Sequence, residues 1–282
     1  MEKLVNAWVL GGDGRYTWAA RSLRRFGLPV KCRGVPELEN QGESLEVALR
    51  DADIVLLPMK PFRGETLCVA GEEIPGALLP MLLSKGALVA AGQLPEPLEA
   101  WYRENGLRCF NYLEDESFQL RNANTTAEGA IYLLLHHSTR TVDGMKLLVL
   151  GAGRIGGFLA AKLRAMGAKV TVTTRNAAKR TDLELRGYET LKTGEYPQGL
   201  EIYDGILNTV PRLVIYEEQA ESIREDCLCI ELASDPGGFP DCVENRVISG
   251  RFLPGRTFPE TAGEHLAAAV WDALAGEGRM LE

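Results

Sequence analysis

Residues 146–175, KLLVLGAGRIGGFLAAKLRAMGAKVTVTTR, constrain the fold of this chain more than any other stretch. An apolar run at 147–150 meets Gly151-x-Gly153-x-x-Gly156. A helical pattern at Ile155, Leu159, Leu163 and Met166 then stops at Gly167, and a β-rich run follows at 170–174. This order predicts a βαβ unit with a dinucleotide fingerprint at its first turn. Gly151 permits the tight turn, Gly153 lets a pyrophosphate approach the backbone, and Gly156 lets helix and strand pack closely. Arg154 and Ile155 share the turn, and the helix start offers N–H groups to phosphate. The alternative is a glycine turn with a structural role only.

The end of the second strand bears on the choice of cofactor. An NAD-preferring fold carries Asp or Glu about 20 residues beyond the glycine turn, to bind the ribose 2′-OH. Here that place falls on Thr174, followed by Arg175 and Asn176, with Lys179 and Arg180 close behind. No carboxylate repels a 2′-phosphate, and a guanidinium can pair with one bidentately. NADP is therefore expected over NAD. The plainer reading makes these cations the solvated start of the next helix.

At 282 residues, with 45% apolar residues, the chain suits two domains. A net charge of −8 argues against a general nucleic-acid or anionic-membrane surface. The six cysteines include no C-x-x-C pair, so no metal is expected, and Cys227-x-Cys229 reads as core packing in a strand. The only apolar run near the start, 7–10, is too short for a signal peptide or membrane span. A cytoplasmic protein with reduced thiols is the expectation.

In chain order, strands are expected at 6–10, 30–32, 54–57, 87–91 and 107–110. Helices are expected at 16–26, 44–51, 77–83 and 95–105. This alternation predicts a parallel, doubly wound sheet. The fold class is α/β with two doubly wound parallel-sheet domains, the second a Rossmann dinucleotide-binding domain. The expected boundaries are 1–122 for an N-terminal substrate domain, 123–142 for a linker helix and 143–258 for the Rossmann domain. A C-terminal helix at 259–282 is expected to return to the N-terminal domain, forming a two-stranded hinge with the linker helix.

Ligands of open parallel sheets bind beyond the carboxyl ends of the strands. In the first domain these ends carry Gly11-Gly12-Asp13-Gly14-Arg15 and Pro58-Met59-Lys60-Pro61. Arg15 and Lys60 can hold carboxylates, with Gly12 beside them, and Asp13 can orient Arg15 or move a proton. Equally, Asp13 can cap a helix while both cations face water. Thr125-x-x-Glu128 reads as a capping box at the start of the linker helix, with Thr126 next to it. In the second domain Asn208-Thr209-Val210-Pro211 is expected beside the nicotinamide, by fold analogy. In Ala233-Ser234-Asp235-Pro236-Gly237-Gly238, Ser234 supplies a hydroxyl and the glycines can bare N–H groups to an anion, unless the segment is a plain turn. His136, His137 and His265 show no acid partner, so no catalytic histidine is assigned.

GGDGR, NTTAEG, GAGRIG, NTVP, LASDPGG and LPGRTFPETAG, in this order and at these separations, resemble the A subunit of dipicolinate synthase from spore-forming bacteria. The resemblance spans almost the whole chain. It implies oxidation of dihydrodipicolinate, or its hydrated precursor, to dipicolinate with NADP, beside a separate B subunit in the mother cell during sporulation. Thr125 stands where proline is expected, and Asp235 puts a carboxylate in a loop that should tolerate a dianion, which favours Ser234 and the glycines as substrate contacts. In this scheme Asp13, Arg15 and Ser234 are the expected catalytic residues, and Gly12, Lys60, Thr126, Gly237 and Gly238 join Arg15 and Ser234 around the substrate. A homo-oligomer is also expected. Two other classes stay open: a D-2-hydroxyacid dehydrogenase, which needs a His–carboxylate pair, and a non-catalytic nucleotide-binding regulatory subunit.

Overall fold

The computed structural model describes residues 5–42 and 44–275. They form two compact units, one of Met1–Asn122 with Pro254–Glu282 and the other of Ala123–Leu253.

The first unit alternates strand and helix as its apolar runs dictate. Its elements are β1 (Ala7–Leu10), α1 (Gly14–Arg25), β2 (Val30–Arg33), α2 (Leu45–Arg50) and β3 (Ile54–Leu56). An antiparallel trio follows: β4 (Phe62–Arg63), β5 (Thr66–Val69) and β6 (Glu72–Pro75). Then come α3 (Leu79–Leu82), β7 (Leu88–Ala91), α4 (Glu96–Glu104), β8 (Arg108–Asn111) and the start of α5 (Glu116–His137). The main sheet has the order β2-β1-β3-β7-β8, and every pair in it is parallel. β1 and β7 are buried at every residue, as strands covered on both faces must be. Tyr16, Leu23, Leu266 and Val270 belong to the core on one face, and Leu45, Leu49, Leu79 and Leu98 to that on the other.

The second unit continues α5 and runs through β9 (Lys146–Leu150), α6 (Arg154–Ala165), β10 (Lys169–Thr173), α7 (Ala177–Leu185), β11 (Glu189–Leu191) and β12 (Gly205–Asn208). It ends with α8 (Glu217–Ala220), β13 (Leu228–Glu231), β14 (Val247–Ser249) and the beginning of α9 (Leu253–Thr257). Its order, β11-β10-β9-β12-β13-β14, is the 3-2-1-4-5-6 arrangement of a dinucleotide fold. Cys227 and Cys229 are buried in its core. The last described element is α10 (Pro259–Ala275), which packs along α1 in the first unit.

Several expectations need correction. The helix expected at 77–83 is a 3-10 turn, Gly76–Leu78, followed by the single turn of α3, with Pro80 in that first turn. The antiparallel trio and β11 lie where no strand was expected, because their runs are too short to show a period. The trio is fixed to β2 by Arg33 Nε donating to Glu72 Oε1 at 2.7 Å, while Glu72 Oε2 accepts the Leu45 N–H at 3.0 Å.

The capping box at Thr125 does not exist. α5 starts nine residues earlier, at Glu116, where Asp115 Oδ1 accepts the Phe118 N–H at 2.6 Å. Thr125 and Thr126 are buried in mid-helix, and Glu128 pairs with Lys162 Nζ at 2.9 Å. From Ala127 onward α5 contributes Ala130, Ile131 and Leu134 to the core of the second unit, so this part of the helix is core rather than a separate linker.

Candidate functional site

The fingerprint turn has the form that a pyrophosphate requires. Gly151 has φ +99°, and a Cβ on it would lie 2.6 Å from Thr209 Oγ1. On Gly156 a Cβ would lie 2.0 Å from the carbonyl oxygen of Gly151, so helix and turn pack with no room for a side chain. Gly153 differs: nothing lies within 4 Å of a Cβ built there, and the space ahead of α6 is open. Gly153 is the N-cap of that helix and supplies no capping side chain, so the first-turn N–H groups have no acceptor inside the helix. Arg154 is exposed at this opening and Ile155 half-buried beside it. Thr173 Oγ1 accepts the Gly151 N–H at 3.2 Å, and Thr209 Oγ1 donates to the Leu150 carbonyl at 2.8 Å, tying the turn to both neighbouring strands. These residues fit a dinucleotide.

At the end of β10, Thr174 is buried and its Oγ1 accepts the Asn176 N–H at 3.3 Å. Asn176 is the N-cap of α7, with Oδ1 accepting the Lys179 N–H at 3.0 Å. Thr174 and Asn176 therefore build the turn. The exposed Arg175 and Lys179 side chains have no ion pair or hydrogen bond among the described residues, which leaves both cations for an anion.

The ends of β12 and β13 differ most from expectation. Asn208 is fully buried, with its side chain bonded inside the protein. Its Nδ2 donates to the Val210 carbonyl, and its Oδ1 accepts the Val210 N–H at 3.0 Å. The same Nδ2 reaches both oxygens of Glu231. Glu231 also accepts the N–H groups of Ala233 at 2.8 Å and Gly238 at 2.7 Å. The Gly238 N–H is therefore taken, so this half of the glycine pair is not the anion donor expected from sequence. A Cβ on Gly238 would strike Asn208 at 2.5 Å, which explains that glycine by close approach. Burial pushes the Glu231 carboxyl above its ordinary value despite these donors. Glu231 was missed by sequence reasoning, although a lone acid inside the apolar strand LCIEL was the available signal. Of the remaining loop, Ser234 is exposed with its hydroxyl unbonded among the described residues, and Asp235 pairs with Arg251 at 2.6 Å. Thr209 and Val210 are half-buried at the crevice, and Pro211 is exposed.

In the first unit the strand order places a topological switch point at β1 and β3, where doubly wound sheets bind ligands. Gly12, Asp13 and Arg15 follow β1, and Met59 and Lys60 follow β3. Asp13 is the N-cap of α1, with Oδ1 accepting the Arg15 N–H at 3.1 Å, so its capping role is real. Arg15 does not face water. Its side chain is 5% exposed, and Nη2 lies 2.8 Å from Asp13 Oδ2. Burial pulls the Arg15 pKa down, but the Asp13 carboxylate outweighs it and the net shift is upward. Tyr16 and Tyr112 join hydroxyls at 2.8 Å nearby, and burial pushes Tyr16 up to about 12, so both are neutral donors at physiological pH. Lys60 is exposed and unpaired among the described residues.

His136 and His137 sit exposed at the end of α5, with His136 stacked on Tyr132. No group of three or more metal-ligating side chains occurs among the described residues, and none of their helices is long and apolar enough to cross a membrane.

Comparison with known proteins agrees with this geometry. Residues 6–113 match the family model for the N-terminal domain of the dipicolinate synthase A chain. The A chain of dipicolinate synthase from Bacillus subtilis (strain 168) is 25% identical over 283 residues, covering 95% of each protein. The crystal structure of the corresponding dipicolinate synthase chain from Bacillus halodurans superposes with a TM-score of 0.82 at 26% identity, covering 98% of this chain and 99% of that one. Two more distant structures share the fold alone. An L-alanine dehydrogenase has a TM-score of 0.61 at 15% identity, covering 96% of this chain and 90% of its own. The putative D-isomer specific 2-hydroxyacid dehydrogenase from Polaromonas sp. JS6 66 has 0.59 at 14% identity, with 97% of each chain covered. The chain therefore has a dehydrogenase-like fold, and its resemblance to the A chain of dipicolinate synthase extends over nearly its whole length.

Proposed function

We propose that this protein, similar from end to end to the A chain of dipicolinate synthase, oxidises dihydrodipicolinate or its hydrated precursor to dipicolinate, with NADP as cofactor. The observation that carries the reading is the open fingerprint turn at Gly153 in a chain that also holds a buried arginine at its other switch point. The nicotinamide, when bound, supplies the acceptor for the hydride that leaves the substrate ring. The first-turn N–H groups of α6 hold the pyrophosphate, and Arg175 with Lys179 favours the extra phosphate of NADP.

Arg15 binds one substrate carboxylate, oriented by Asp13, and Lys60 adds a second cation. Gly12 lies in the same loop, where a Cβ would strike the Tyr16 ring, and Ser234, exposed after β13, is kept as a candidate hydroxyl in the second unit. Thr126 and Gly238 drop out, the first buried in α5 and the second already bonded to Glu231. The ring proton passes to Asp13 or water, and the hydrated precursor also loses one water on the way to the aromatic product. Aromatisation favours the product so strongly that alignment matters more than a specialised base. Work beside a B partner, in the mother cell during sporulation, completes the proposal.

The test supplies dihydrodipicolinate and NADP to the purified chain, with and without the B partner, and follows reduced cofactor together with dipicolinate. Both should rise in step. If neither does, while a 2-hydroxy acid reduces the cofactor, a 2-hydroxyacid dehydrogenase replaces this reading.

A further inference from the structure

Arg15 has five N–H groups and a side chain almost wholly removed from water. Asp13 takes one edge of the guanidinium, with Nε donating to Oδ1 at 2.8 Å and Nη2 to Oδ2 at 2.8 Å. Gly255 closes over this pair. A Cβ there would lie 2.4 Å from Nη2 and 2.7 Å from Oδ2, so the backbone of α9 rests directly on the ion pair. Nη1 is served differently, by the thioether Sδ of Met59 at 3.1 Å.

A thioether is a weak acceptor, whereas a buried guanidinium ordinarily gathers carboxylate or carbonyl oxygens. The Nη1/Nη2 edge, the second place where Arg15 can hold a carboxylate bidentately, is therefore poorly satisfied. Met59 is half-buried in the segment after β3, and its unbranched side chain with three rotatable bonds turns aside readily.

We infer that Met59 is a displaceable cover on the outer edge of Arg15, exchanged for a carboxylate of the substrate when it binds. This deepens the proposed function and rests on its reading of Arg15 as the substrate arginine. In the bound state the guanidinium is clamped by two carboxylates, Asp13 from the chain and one from the ligand. One cation does not balance two anions, and the ammonium of Lys60, the residue after Met59, supplies the remaining charge. The ligand class is a planar ring carboxylate, whose two oxygens match the spacing of the edge.

The test titrates dipicolinate into the full chain as wild type, Met59→Glu and Met59→Leu, with NADP affinity and thermal midpoint measured on each. Met59→Glu delivers a tethered carboxylate to the same edge and should weaken dipicolinate about tenfold or more with NADP affinity unchanged. Met59→Leu fills the space without lone pairs and should bind within about threefold of wild type. Dipicolinate should also shift the Met59 methyl resonance of isotope-labelled wild type. If Met59→Glu does not fold, Met59→Leu and the methyl signal decide. Tight binding that ignores Met59→Glu, a tenfold loss in Met59→Leu, or an unmoved Met59 methyl overturns the cover and leaves Arg15 as the substrate arginine. A wild type that binds no dipicolinate overturns both.

Discussion

Asn208 and Glu231 face each other in register on β12 and β13, and Nδ2 of Asn208 donates to both carboxylate oxygens, at 2.7 and 2.9 Å. The contact joins the loop after β12 to the loop after β13, because Asn208 also holds Val210 and Glu231 also holds Ala233 and Gly238. One buried carboxylate thereby shapes two strand ends.

Glu231→Gln should accordingly cost more than its isosteric form suggests. The new amide puts an NH₂ against groups that are all donors, leaving at least one buried N–H unpaired, a loss of about 1–3 kcal/mol. Urea unfolding of the full chain measures it. A variant as stable as wild type would mean that these donors find other acceptors.

The fingerprint glycines should separate folding from binding. Gly156→Ala places a methyl against the Gly151 carbonyl and is expected to lower stability by several kcal/mol, or to prevent folding. Gly153→Val meets no protein atom within 4 Å of its Cβ and should keep the wild-type melting temperature while losing dinucleotide binding. Thermal scans with and without cofactor distinguish the two.

Arg175→Ala is expected to weaken NADP by about 1–3 kcal/mol and to leave NAD nearly unchanged, the size of a charge-assisted hydrogen bond. Titration of both cofactors into both proteins checks it. Equal wild-type affinities for the two would remove the preference altogether.

Arg15→Ala should raise the substrate concentration required for turnover and leave cofactor affinity intact. Steady-state assays with each substrate varied in turn provide the measurement. A change confined to cofactor binding would take Arg15 out of the substrate site.

Asp51 gives a pH-dependent test. It accepts from Lys31 Nζ at 2.7 Å, Trp8 Nε1 at 2.9 Å and Asn6 Nδ2 at 3.2 Å. Lys31 foremost holds its carboxyl below the ordinary value of 3.8. The unfolded chain then takes up the proton more readily than the folded one, so this stability is present above the ordinary value and lost as pH falls through the folded value. Asp51→Asn should cost about 1 kcal/mol at neutral pH, discounted for the exposure of the pair, and the difference from wild type should close below pH 3.8.

Much of this protein could be read from its residues, and the exceptions have physical causes. The fingerprint, the β/α alternation and the arrest of a helix at Gly167 are local signals, and local signals survive folding. Thr125 misled because Thr-x-x-Glu is a good N-cap only where the chain before it is not already helical, and the buried positions Phe118 and Ala123 extend the helix past it. Arg15 was expected at a ligand loop, but its burial depends on Gly255, distant in sequence. Asn208 has the chemistry of a ligand contact, and only its pairing with Glu231, across two strands, turns it into framework. Asn208 and Glu231 show the limit most plainly, since neither strand alone reveals the partner that the sheet brings to it.

The first unit is discontinuous: its sheet is complete by β8, yet Leu266, Ala267, Val270 and Leu274 of α10 belong to the core that α1 shares. During synthesis, α1 therefore waits for a helix that emerges after the whole second unit, whose residues are contiguous. The later-coded unit should consolidate first on the ribosome, while the earlier one keeps an apolar flank bare until α10 leaves the exit tunnel. That interval is where chaperone engagement and aggregation during expression should concentrate.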